Sequence, residues 1–216
     1  MIELSNADIA AEKALAKAIA NVGIIPAIRD ANLTRQSGNY GRRLIKLQEE
    51  LGEHAEAYLN VTSAGNGKGK TWDDVREEAA DILIVAVDVA LTPRPDTYET
   101  IEVVEKELVQ SLKDYTFNQR QFSHALTSTY ADYEALTLKV GAFVGAIGAK
   151  FAERGMSKAA AFELVGTAFM LALVPLPDQS DWTTAALEDQ LCETIAEKLA
   201  KWRNNRDTGT AATDAE

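Results

Sequence analysis

Apolar residues recur at helical spacing along most of this chain, and the breaks between periodic stretches divide it into helices. Alanine-rich periodicity covers Ser5 to Asn21, followed by a looser stretch, IIPAIRDANLTRQSGNYG, interrupted by Pro26, Gly38 and Gly41. From Arg42 to Asn60 the residues Leu44, Leu47, Leu51, Ala55 and Leu59 return every three or four positions, which marks one buried helical face. The polar, glycine-rich TSAGNGKGK reads as a loop; Thr71, with Asp74 three residues on, is a capping-box variant opening the next helix. That helix, WDDVREEAADILIVAVDVAL, stops before Pro93 and Pro95. Further helices are expected at Tyr98–Lys113, Phe117–Thr129, Ala131–Arg154, Ser157–Val174 and Trp182–Asn205. The fold class is all-α, a helical bundle forming one domain over residues 1–206, and the polar tail 207–216 is expected to be disordered.

The segment ILIVAV is rich in β-branched residues and would also suit a buried strand. A strand places Asp81 and Asp88, seven residues apart, on opposite faces, whereas two helical turns align them. The cap, the acidic lead-in Glu77-Glu78 and the distance to Pro93 favour a helix. From Ala79 to Leu91 every residue but those two aspartates is apolar, so this helix is expected to be buried nearly all round.

Its two aspartates then need an explanation, because a buried carboxylate must be neutralised, paired or bound to a metal. The preceding helix carries Glu49, Glu50, Glu53 and Glu56, all within about 120° of one another on the helical wheel. Each helix therefore offers an acid pair at i, i+3: Glu50 with Glu53, and Glu78 with Asp81. A short connection makes the helices antiparallel neighbours whose acid faces would meet. One such stripe alone is most simply a solvated face; two of them, one buried, point to a cation. Carboxylates without Cys or His suit a hard, oxygen-seeking ion, Mg²⁺ or Mn²⁺.

The pattern Glu50-Leu-Gly-Glu53, 24 intervening residues, then Glu78-Ala-Ala-Asp81, within KLQEELGEHAEAY and DVREEAADILIVAV, resembles the all-α NTP pyrophosphatases. That superfamily contains the MazG-like proteins and the related dimeric dUTPases, and the resemblance covers about Arg42 to Leu91. It implies that Glu50, Glu53, Glu78 and Asp81 hold divalent ions that bind a triphosphate. The implied reaction converts a (d)NTP, leaning towards a purine deoxynucleotide such as dGTP or dATP, to the monophosphate and pyrophosphate. It also implies a homo-oligomer, a dimer or tetramer, and a role in nucleotide-pool control of the kind small phage members perform. Glu49 or Glu50 would orient the attacking water or take its proton.

The remaining candidates would contact substrate. Lys46 and Asp88 flank the acids. Lys70, with Lys68, lies in the loop before Trp72, and Lys198, Lys201, Arg203 and Arg206 line EKLAKWRNNRD. Cations at a helix end also favour the macrodipole without any ligand. Trp72 and Tyr40 would stack on a base or simply fill the core. His54 reads as a helix-surface or supporting residue. The segments LTLKVGAFVGAIGAKF and KAAAFELVGTAFMLALVPL, within 131–174, echo the first helix pair. With Leu138 on Leu47 and Met156 on Trp72, the four acids become Gly141, Val144, Phe162 and Val165. This is either a degenerate tandem copy or two Ala/Gly-rich core helices, with Gly141, Gly145 and Gly148 permitting close approach.

Charge narrows the classes. Lys plus Arg total 22 against 33 for Asp plus Glu, a net charge of −11, which disfavours nucleic-acid binding. The longest apolar run, Ile82 to Leu91, contains Asp88 and falls short of a membrane span, and the acidic start is unlike a signal peptide. A soluble, cytoplasmic protein is expected. Cys192 is alone, so there is no intrachain disulfide. Ala64 to Thr71 matches a loose P-loop, but that motif follows a buried strand and here follows an amphipathic helix. The non-enzymatic alternative is an acidic helical interaction protein whose stripes are merely solvated.

Overall fold

The computed structural model describes residues 23–33, 40–63, 68–92, 99–122, 130–152, 158–174, 176 and 184–207. Among them lie seven helices and no strand: α1 (Ile24–Leu33), α2 (Tyr40–Thr62), α3 (Trp72–Leu91), α4 (Ile101–Phe122), α5 (Tyr130–Ala152), α6 (Lys158–Leu173) and α7 (Thr184–Asp207). The all-α class is therefore observed. The helix expected at Ser5–Asn21 lies outside the described residues, as does the tail expected at 207–216 except Asp207, which ends α7.

α3 forms as its sequence dictates. Asp74 N–H donates to the Thr71 hydroxyl at 3.3 Å and Thr71 N–H donates to Asp74 Oδ2 at 2.7 Å, a reciprocal capping box. Asp73 and Asp74 occupy the positive first turn. Val75, Ala79–Val87 and Val89–Leu91 are all buried, so this helix is the axis of the core, and α2, α6, α1, α7 and α4 pack around it.

Two local expectations fail for clear reasons. The stretch around Pro26 is not loose: Gly23, with φ +102°, accepts from Ala27 N–H at 3.3 Å and starts α1. Pro26 then sits in the first turn, where its missing N–H has no partner to lose. Gly41 likewise lies inside α2. α4 runs through Lys113–Phe117 without a break, since no Gly or Pro interrupts it there.

α2 is antiparallel to α3, with Tyr58 beside Trp72 at one end and Arg43 bonded to Asp88 at the other. It is also antiparallel to α5, with His54 near Tyr133 and Tyr40 near Phe151. α6 packs on α3 and α5, which closes a four-helix bundle of two hairpins. That is the layout a tandem repeat needs. In the proposed α6 register Phe162 is half-buried like Glu78 and Val165 buried like Asp81, but Ala159 and Glu163 are exposed where Val75 and Ala79 are buried. The α5 register does not fit, because Leu138 is 75% exposed whereas Leu47 is fully buried. The expected close approach at three glycines also reduces to one. A Cβ on Gly141 would meet Leu51 Cδ2 at 3.4 Å, but nothing lies within 4 Å of one on Gly145 or Gly148.

The segment Tyr133–Ala152 in α5 is long and apolar enough to cross a membrane by length and composition, a span not anticipated from uninterrupted runs. In the fold it packs against α2 and α6, with Leu138, Ala142, Gly145, Ala146 and Ala149 facing outward.

Candidate metal centre

The buried row of α2 is Leu44, Leu47, Glu50, His54, Ala57 and Tyr58. It departs from the apolar row of the sequence after Leu47: Leu51 and Ala55 are only half-buried and Leu59 is 60% exposed. Glu50 and His54 thus stand where a core helix would ordinarily carry apolar residues. Glu49, Glu53 and Glu56 form the neighbouring exposed row. Membership of one side of the wheel did not distinguish the two rows, and burial does.

Glu50, only 3% exposed, meets Asp81, 8% exposed, and the half-buried Glu78 of α3. One carboxylate oxygen from each lies within 4.8 Å of the others. Three acids this close and this dry resist ionisation together. Burial, opposed by Lys46 and reinforced by Asp81, pushes the Glu50 carboxyl up to about 7. Burial also raises Asp81 and Glu78, against the pull of Lys198 on both. Glu53 is exposed and outside the trio, but its charge contributes to the upward shifts of Glu50 and Glu78. The structure therefore brings together three of the four expected ligands.

Two lysines bracket the trio. Lys46 Nζ lies 3.0 Å from Glu50 Oε1 and 3.0 Å from Glu49 Oε2. From α7, Lys198 Nζ lies 2.5 Å from Asp81 Oδ2 and 3.2 Å from Glu77 Oε2. Lys198, expected to face substrate, is here a partner of the acids. Lys70 bonds Asp74 at 3.3 Å, and its charge, like that of Lys198, opposes the upward shift of Glu78. Lys201 is exposed one turn beyond Lys198, while the side chains of Arg203 and Arg206 lie outside the described residues. Lys68 bonds Glu56.

Asp88 aligns with Asp81 along α3 as expected but stands apart from the trio, held by Arg43 of α2. Trp72 is half-buried with its ring edge-on to Tyr58 at 6.3 Å, and Tyr40 packs on Phe151 at 5.3 Å. Both are half-buried and packed against the core. Thr71 caps a helix, and no strand occurs among the described residues, so the P-loop-like run lacks the strand that motif requires.

His54 does not lie on the helix surface, one of the two places its sequence reading allowed. It is fully buried, one turn beyond Glu50, with Nε2 at 2.7 Å from the Tyr133 hydroxyl and Nδ1 without a partner. Burial lowers its pKa to about 4, so the ring is neutral at physiological pH. Tyr133 in turn stacks on Tyr58 at 5.2 Å, and Tyr58 donates to Glu134 Oε1 at 3.0 Å. Nothing local in the sequence announced this cluster; only the packing of α5 on α2 creates it.

The donor set suits a hard cation: three oxygens, no sulfur or nitrogen, and a net negative charge that burial makes unfavourable. No protein-family model matches this chain, and no curated protein or solved structure matches it.

Proposed function

We propose that the chain is a metal-dependent (d)NTP pyrophosphohydrolase of the all-α type, releasing a nucleoside monophosphate and pyrophosphate. The observation that carries this reading is the buried convergence of Glu50, Glu78 and Asp81 from two antiparallel helices. It lies on the E-x-x-E and E-x-x-D words that resemble the all-α NTP pyrophosphatases. Glu50, Glu78 and Asp81 would hold Mg²⁺ or Mn²⁺, with Glu53 completing the set from the exposed rim. The ion would supply charge neutralisation and Lewis-acid polarisation of a phosphoryl group.

The protein's own groups would do the rest. Glu49, 54% exposed and paired with Lys46, would accept a proton from water at the mouth of the site. Lys70 and Lys201 would donate to phosphate oxygens, offsetting the repulsion between a triphosphate and a chain of net charge −11. The exposed apolar side chains Ile45, Leu59 and Leu138 support a homo-oligomer. They equally favour the second reading, an interaction protein without catalysis.

The test is pyrophosphate release from a panel of dNTPs and NTPs with Mg²⁺, with Mn²⁺ and with EDTA. Cleavage of one or two nucleotides only with metal, lost in Glu53→Gln and Asp81→Asn, supports the enzyme and names the base. No cleavage with any nucleotide passes the argument to the interaction protein.

A further inference from the structure

Lys198 is the most enclosed cation at the acid trio. Its side chain is 14% exposed, against 48% for Lys46, and it reaches the site from α7, 117 residues from Asp81 along the chain. Its Nζ, 2.5 Å from Asp81 Oδ2 and 3.2 Å from Glu77 Oε2, is an ammonium held between two carboxylates. Its anchors differ: Asp81 is buried and belongs to the trio, whereas Glu77 is 44% exposed and does not. α7 itself is held by Leu191, Ile195, Ala196 and Leu199, all buried, so its docking does not depend on the lysine. The ammonium can leave Asp81 while the helix stays and Glu77 still accepts from it.

Resting on the metal-site reading above, we infer that Lys198 is a built-in counter-ion which a divalent cation must displace from Asp81. An ammonium satisfies Asp81 as a single charge and one hydrogen bond. A divalent ion engages three carboxylates at once, so it wins at sufficient concentration but binds more weakly than to the bare trio. Lys198 thereby sets the metal concentration at which the site fills and prevents the acids from repelling one another when empty. It is a positioning residue that acts through Asp81.

The test is Mn²⁺ affinity of the full chain, stripped with EDTA and dialysed, measured by the loss of the free Mn²⁺ EPR signal at pH 8. Wild type, Lys198→Met and Lys198→Arg are compared. The ion must exchange a hydrogen bond between two charged groups, so Lys198→Met, which frees Asp81 of it, should bind Mn²⁺ about tenfold or more tightly. Lys198→Arg, which keeps the charge, should stay within about threefold of wild type. A residue that merely supports the fold would weaken binding when removed, so the direction of the change decides. Unchanged or weaker binding in Lys198→Met, beside a wild type that binds, overturns the displacement while leaving the metal site standing. Absence of binding in all three proteins overturns both. Should Lys198→Met fail to fold, Lys198→Gln is the replacement, with the same expected direction.

Discussion

His54 Nε2 lies 2.7 Å from the hydroxyl of Tyr133, a contact between two fully or nearly fully buried side chains that ties α2 to α5. It is the imidazole's one hydrogen bond, because Nδ1 has no partner. Tyr133→Phe leaves both ring nitrogens buried and unsatisfied, and should cost about 1–3 kcal/mol of stability. Removing both polar groups in His54→Leu/Tyr133→Phe should cost less than the sum of the single changes. Urea unfolding of the four proteins in a double-mutant cycle checks this; additive losses would show that the contact carries no coupling.

The acid trio makes stability depend on pH in an uncommon direction. Glu50 is raised to about 7 by burial, and Glu78 and Asp81 are raised too, so the folded state binds more protons than the unfolded chain in that range. Stability without metal should therefore fall as pH rises from about 4.5 to about 7. A cation replaces the lost protons, so the rise in melting temperature on adding Mg²⁺ or Mn²⁺ should grow across the same window. Glu50→Gln should flatten the slope in EDTA. Thermal melts between pH 5 and pH 8 measure both effects.

Thr71 is the N-cap of the helix that presents Glu78 and Asp81. Thr71→Ala removes the acceptor for Asp74 N–H and should cost about 1 kcal/mol. Thr71→Ser keeps the oxygen and should recover most of that in the same unfolding experiment.

Gly145 and Gly148 lie inside α5 with no neighbour that a methyl group would touch. Replacing either by Ala should stabilise the monomer by about 0.5–1 kcal/mol through helix propensity alone. A destabilisation at Gly145, which is exposed, would instead reveal a second copy of the chain packed there.

The long-period features of the fold were legible in the sequence. The spacing of Asp81 and Asp88 together with the Thr71 cap identified α3 as a helix despite ILIVAV, and its near-total burial followed from the run Ala79–Leu91. The meeting of Glu50 with Glu78 and Asp81 followed from antiparallel pairing. Features fixed by tertiary packing were not legible. The helical row of α2 drifts after Leu47, so Glu50 and His54 enter the core while Leu59 leaves it, a choice made by the positions of α3 and α5. Lys198 looked like one more cation near a helix end, and no spacing rule reaches the 117 residues to Asp81. Pro26 suggested a break because its first-turn position is visible only once Gly23 is seen to start α1.

The most direct measurement is ³¹P NMR of a cleaved dNTP in the presence of Mg²⁺ or Mn²⁺, using wild type and a folded Asp81→Asn variant. The account predicts a monophosphate and pyrophosphate as the only products, no reaction in EDTA, and none with Asp81→Asn. Diphosphate with inorganic phosphate, intact nucleotide across the whole panel, or equal turnover by the variant would contradict it.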